Sequence, residues 1–186
     1  MTYLLAGLGN PGPEYARTRH NAGFRIADAA AAKWGVSWEP WQKLGEYGKA
    51  RVAGCDVWLL KPHTFMNLSG QAVSSLSRFY KIPPQNIIVC FDDVSLETGK
   101  LRLRGNGSAG GQKGMKNIIE LLGTQEIARL RLGIGPKPEK FDLVNFVLGK
   151  FSAAEEEILA RALPRAVEAL EFYFARGLAE AMNKFN

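Results

Sequence analysis

The chain has 186 residues, 24 Lys+Arg against 18 Asp+Glu, and a formal charge of +6. Hydrophobic residues make up 46% and charged residues 23%, a balance that excludes a disordered or collagen-like chain. No apolar run reaches the ~18 residues of a membrane helix, Met1–Ala6 lacks the basic flank and long apolar core of a secretory signal, and two cysteines, Cys55 and Cys90, make neither a disulfide framework nor a metal-ligand spacing. The expectation is one cytoplasmic domain over residues 1–186.

In chain order, Tyr3–Leu8 reads as a short apolar strand ended by Gly-Asn-Pro-Gly, and His20–Trp34, rich in Ala with Phe24 and Ile26, as a helix. Tyr47–Ala53 and Val57–Leu60 flank Gly54-Cys55-Asp56 as a hairpin. Asn67–Tyr80 is helical, with Asn67 or Ser69 as candidate cap, and Pro83-Pro84 stops it. Ile87–Phe91 is continuously apolar, the mark of a buried central strand. Lys100–Arg104 and Arg129–Ile134 alternate basic and apolar residues at period 2, which puts Leu on one face and Lys/Arg on the other. Met115–Leu122 follows a glycine-rich loop and stops at Gly123, a natural C-cap. Pro136–Lys140 is a surface loop, and Ala153–Ala175 a long helix that Pro164 should kink or break. Strands alternating with helices indicate an α/β fold: one mixed, largely parallel, twisted β-sheet surrounded by helices.

The charge is localised. Residues 99–140 hold nine Lys/Arg and three Asp/Glu, so this segment alone carries the whole +6 and the remainder is neutral. Such clustering is the footprint of a polyanionic partner, although a solvated basic face has the same composition.

Two glycine patterns fall short of nucleotide motifs. Gly7-Leu-Gly9-Asn-Pro-Gly12 matches the dinucleotide fingerprint, but Pro11 and Pro13 stiffen the loop and no helix start follows at once. Gly107–Gly114 resembles a P-loop, yet Gly114 stands where a magnesium-binding hydroxyl belongs. What survives is a glycine-rich loop leading into a helix and suited to an anion. A different set gathers beyond strand ends, where open α/β sheets bind ligands: Asn10 and His20 after the first strand, His63, Met66 and Asn67 after the hairpin, Asp92 and Asp93 after the buried strand. One His, one Asp and two Asn are the parts of a hydrolase that needs no metal and activates water: a base, its orienting acid, and amides for a carbonyl or oxyanion. His63 reads as peripheral.

These residues carry a specific resemblance. Gly7–Gly12 with Tyr15–Gly23, Lys61-Pro-His-Thr-Phe-Met66-Asn67-Leu-Ser-Gly70, Asp92-Asp93, Gly107-Ser-Ala-Gly-Gly, Arg129–Gly135 and Phe146–Gly149 follow in the order of bacterial-type peptidyl-tRNA hydrolase. The resemblance implies a monomer without metal or cofactor, with no membrane and no obligate protein partner. It would hydrolyse the ester between a peptide and the 3′ end of tRNA and so recycle tRNA from abortive translation products. It implies catalytic roles for His20, Asp92 and Asn10 and substrate contacts for Tyr15, Met66, Asn67 and Lys113. Arg104 and Arg131 match the family's clamp on the tRNA 5′-phosphate. Where the family commonly has His-Asn-Gly, this chain has Gln112-Lys113-Gly114. Lys113 has donors only, so it cannot accept a proton from water as an amide oxygen accepts a hydrogen bond. The competing reading is an RNA-binding module that keeps the hydrolase fold.

Overall fold

The apolar runs Leu4–Ala6, Leu59–Leu60 and Ile87–Phe91 are buried and form the centre of one mixed sheet in the computed structural model, which describes all 186 residues. The strands are β1 (Thr2–Gly7), β2 (Glu39–Trp41), β3 (Gly45–Val52), β4 (Cys55–Pro62), β5 (Ile87–Glu97), β6 (Leu101–Arg104) and β7 (Ala128–Gly135). The helices are α1 (Ala22–Trp34), α2 (Ser69–Phe79), α3 (Lys113–Leu122), α4 (Leu143–Leu148), α5 (Ala153–Arg176) and α6 (Leu178–Phe185). The sheet order is β2-β3-β4-β1-β5-β7-β6. Only the inner four strands, β4, β1, β5 and β7, are mutually parallel. The β2–β3, β3–β4 and β6–β7 pairs are antiparallel, so the sheet is mixed but not largely parallel. The central strands are joined by helical crossovers, whereas β3–β4 is a hairpin with a two-residue turn and both outer pairs lie at an edge.

One core lies between the sheet and α1, α5 and α6, and a second beneath α2 and α3. α1 approaches unusually closely. A Cβ on Gly7 would collide with the Gly23 carbonyl oxygen, and one on Gly23 with the Leu8 backbone and the Cys90 carbonyl. The first two glycines of the apparent dinucleotide fingerprint, Gly7 and Gly9, thus serve helix–sheet packing, Gly12 turns the loop at φ +110°, and that loop meets a 3-10 turn, Arg19–Asn21, before α1 begins. Another 3-10 turn, Met66–Leu68, leads into α2, and neither Asn67 nor Ser69 acts as its side-chain cap.

Pro164 does not break α5. Pro164 and Ala160 are both exposed, so the carbonyl left without its usual partner is open to water, while Leu159, Ala162, Ala166 and Val167 hold the apolar face in the core. The helix stops at Gly177 instead, where φ is +86°. β2, α4 and α6 have no counterpart in the sequence reading. β2 is a three-residue edge strand, α4 spans six residues, and α6 is separated from α5 only by that glycine.

The basic strands alternate as predicted, with one exception to the expected exposure. Leu101, Leu103, Leu130 and Leu132 are buried in the larger core. Arg102 lies opposite Arg131 and Arg104 opposite Arg129, so all four arginines share the other face. Yet Arg129 is 0% exposed. Its guanidinium donates to the carbonyls of Gly107 and Ser108 at 2.8 Å, Gln125 at 3.0 Å and Ile127 at 3.2 Å. Burial pushes its pKa down, with the Arg131 charge adding to the effect. The cation acts as an internal staple that ties the glycine loop to β7.

The 3-10 turn is anchored from outside by α5. Arg19 pairs with Glu155 at 2.8 Å and lies over the Phe146 ring at 4.6 Å, and Arg25 pairs with Glu156 at 2.6 Å. Glu155 also closes a capping box with Ser152. Burial raises the Glu155 pKa, but the Ser152 N–H and hydroxyl and the Arg19 guanidinium outweigh it and leave the carboxyl below its ordinary range. Glu156 is lowered chiefly by its hydrogen bond to Arg25, against a smaller opposing effect of burial.

Replacing Arg129 with Met removes the donor from the buried Ile127 carbonyl and from the part-buried carbonyls of Gly107, Ser108 and Gln125 and should cost about 3 kcal/mol, a fall in melting temperature of roughly 6–12 °C for a chain of this size, read by a thermal melt. The depressed pKa values of Glu155 and Glu156 mean that the folded state binds fewer protons than the unfolded chain near and below pH ~4. Their contribution is present above the ordinary carboxylate range and lost as pH falls through the folded values. Urea titrations between about pH 3 and 6 should show stability falling toward acid, with a smaller fall in the Arg19→Met, Arg25→Met double variant.

Candidate active site

A cleft of about 640 Å³ opens beyond the carboxyl ends of β1 and β4 and beside the middle of β5, where Asp92 and Asp93 lie within the strand and not after it as the sequence suggested; it is lined by Asn10, His20, Phe65, Met66, Asn67, Asp92, Asp93, Gln112, Lys113 and Arg131, with Leu143, Val144, Val147 and Leu148 from the α4 segment. Seven of the nine sequence-predicted site residues line it. Tyr15 and Arg104 do not. Tyr15 is half-buried on the turn before His20, where its carbonyl accepts the Thr18 hydroxyl at 2.8 Å. Arg104 lies on the edge strand β6, with Nη1 on the Leu103 carbonyl at 2.8 Å. His63 is peripheral, 3.5 Å from Glu46. A second hollow, at the far end of α2 around Ser74, Arg78 and Phe79, holds no acid–base pair.

His20 Nδ1 lies 2.8 Å from Asp92 Oδ2. The distance is set by the close seat of α1, which holds the 3-10 turn over the middle of β5. Asp92 is 5% exposed. A carboxylate only accepts, so Nδ1 carries the hydrogen and Nε2 keeps its lone pair. The pair therefore has the tautomer of a general base.

Asn10 is 9% exposed and held on three sides. Its N–H donates to Asn21 Oδ1 at 2.9 Å, and Asn21 Nδ2 donates back to the Asn10 carbonyl at 3.0 Å. Its own Oδ1 accepts the Met66 N–H at 2.8 Å. That last bond orients the amide, because only the oxygen can accept a backbone N–H, and leaves Nδ2 as a donor without a protein partner. Sequence reasoning missed Asn21, although its place beside His20 in the motif was a usable signal. Asn67 and Lys113 are exposed. Lys113 is the first residue of α3 and enters no ion pair, so its ammonium is free at the rim.

Asp93 faces the same rim. Its Oδ2 pairs with Arg131 Nη1 at 3.1 Å, and its Oδ1 accepts the Ser95 N–H at 2.8 Å and the Ser95 hydroxyl at 2.6 Å. Burial pushes its pKa up, but the Ser95 donors and Arg131 outweigh that and hold the carboxyl below its usual range. The carboxylate keeps Arg131 at the cleft edge. Much of the +6 segment is internally committed: Arg129 is buried, and Lys100 and Lys116 pair with Glu97 and Glu120. Arg102, Arg104, Lys113 and Lys140 enter no ion pair; Arg102 and Arg104 share a sheet face with Arg131, which lines the cleft together with Lys113 and so makes a basic face beside it.

A family profile described as peptidyl-tRNA hydrolase matches residues 4–186. The chain is 59% identical to a peptidyl-tRNA hydrolase of Elusimicrobium minutum and 50% identical to one of Symbiobacterium thermophilum, over 100% of each chain. The crystal structure of peptidyl-tRNA hydrolase from Acinetobacter baumannii superposes with a TM-score of 0.93 at 37% identity, covering 100% of this chain and 94% of that one. Agreement in sequence and in fold over nearly the whole length shows that the chain belongs to the peptidyl-tRNA hydrolase family.

Proposed function

We propose that the chain hydrolyses the ester joining a peptide to the 3′ end of tRNA, with His20 as general base. The observation that carries the residue assignment is the 2.8 Å His20–Asp92 pair, with its free Nε2, in a cleft beside a basic face. Nε2 takes a proton from water as the oxygen attacks the ester carbonyl. Asp92 accepts from Nδ1 throughout and stabilises the imidazolium that forms. The Asn10 amide donates to the oxyanion. Collapse of the tetrahedral species breaks the bond to the ribose 3′ oxygen, which takes the proton from His20, and releases the peptide acid and free tRNA.

The apolar walls, Phe65 and Met66 on one side and Leu143, Val144 and Leu148 on the other, suit the peptide. Asn67 supplies an amide for its backbone, and Lys113 donates to a carbonyl, hydroxyl or phosphate at the acceptor end. Tyr15, on the turn before the one that carries His20, lies outside the cleft and would meet only the outer part of the substrate. A site of amides takes a neutral peptide bond readily. A free aminoacyl ester would have to desolvate its α-ammonium there, beside Arg131 and Lys113, without a partner. Arg104 and Arg131 hold tRNA phosphate from neighbouring strands. The enzyme acts as a monomer in the cytoplasm.

N-blocked aminoacyl-tRNA should be hydrolysed and free aminoacyl-tRNA spared, and release from neither would favour the RNA-binding module. His20→Ala should keep tRNA affinity and lose turnover by about 10²–10⁴-fold, and undiminished turnover would end the base assignment. Arg104→Ala and Arg131→Ala should each weaken tRNA binding and reduce the slope of log K against log salt by about one, measured by filter binding across a KCl series.

A further inference from the structure

Gln112 is 8% exposed, and its amide is engaged at both ends. Oε1 accepts the Met115 N–H at 2.8 Å, which makes Gln112 the N-cap of α3. Only an oxygen can accept that N–H, so the amide has one orientation, with Nε2 turned into the site. Nε2 lies 3.3 Å from Asp92 Oδ1 and 3.1 Å from the Met66 sulfur. Asp92 commits its other oxygen, Oδ2, to His20.

Capping α3 does not require this residue. Ser, Thr, Asp and Asn are the usual N-caps, and each needs only a short side chain with an oxygen. The extra length and the amide donor of Gln112 are what reach Asp92. A carboxylate held through one oxygen keeps a broad torsion about its last bond. With a donor on each oxygen the carboxylate plane is fixed, and with it the direction along which His20 is held. We propose that Gln112 is a positioning residue for hydrolysis: it acts through Asp92, locking the carboxylate in the orientation that keeps His20 Nε2 aimed at the attacking water. It also couples the dyad to the start of α3, where Lys113 is the next residue. This inference rests on the reading of His20 and Asp92 as the catalytic pair.

Gln112→Ser separates the two jobs. Serine caps α3 normally but is too short to reach Asp92. We expect a melting temperature close to that of the parent chain, KM for N-blocked aminoacyl-tRNA within about twofold, and kcat lower by about tenfold, the scale of losing one hydrogen bond to a charged group. The same substitution should produce no further loss of kcat in an Asp92→Ala background. Parental kcat in Gln112→Ser, or an equal fractional loss with and without Asp92, would overturn the positioning role. Undiminished turnover in Asp92→Ala alone would instead overturn the catalytic pair on which it rests.

Discussion

The structure depends on the contact between α1, the end of β1 and the middle of β5. Gly23 stands where any side chain would strike the Leu8 backbone and the Cys90 carbonyl, and Gly7 faces it from the strand. This close seat carries the Arg19–Asn21 turn over the middle of β5 and permits a 2.8 Å bond between two residues that are 72 positions apart in the chain. A single Cβ at either glycine would lift the helix, and the His20–Asp92 geometry would go with it. The close approach also explains why a glycine pattern that mimics a nucleotide fingerprint belongs to a different chemistry. Its first two glycines meet a helix, not a pyrophosphate.

Around that contact the site is assembled by buried amides and one buried cation rather than by regular secondary structure. Asn21 holds the Asn10 backbone from both ends, Asn10 holds Met66, Gln112 joins Met66 and Asp92 to α3, and Arg129 ties the glycine loop to β7. Each connection ties a loop or turn to another segment of the chain. Loops that carry functional groups expose backbone polar atoms, and those that are buried must find partners. Side-chain amides and a guanidinium supply them, and the resulting network gives the cleft a fixed shape.

The charge distribution follows the same logic. Arg19 and Arg25, from the electroneutral part of the chain, clamp the His20 turn and the start of α1 to α5 through Glu155 and Glu156. In the basic segment, Asp93 holds Arg131 at the cleft edge, and Arg102 and Arg104 continue the cationic face along β6. The cationic face is thus partly neutralised by Asp93 at its cleft end and carries unpaired arginines along β6.

The sequence by itself determined the local features. Alternation at period 2 marked β6 and β7, the apolar run of residues 87–91 marked the central strand, and Gly123 and the Ala-rich stretch bounded two helices, because backbone sterics and the burial of one face act over a few residues. It also gathered Asn10, His20, Met66 and Asn67 on one rim, because groups that follow parallel strands collect there, whereas Asp92 and Asp93 lie within β5 and His63 stands outside the cleft. Tertiary structure decided the rest. A period-2 pattern cannot distinguish Arg129 from Arg131: one is sealed beneath the glycine loop and the other opens to the cleft, and the difference comes from a loop more than 20 residues away. Pro164 marks a break by local rules, yet core packing on the opposite face keeps α5 continuous. Gln112 reads as a loop residue until α3 and Asp92 close on its two ends. Burial and partner choice are properties of contacts between distant segments, and these arise only when the chain has folded.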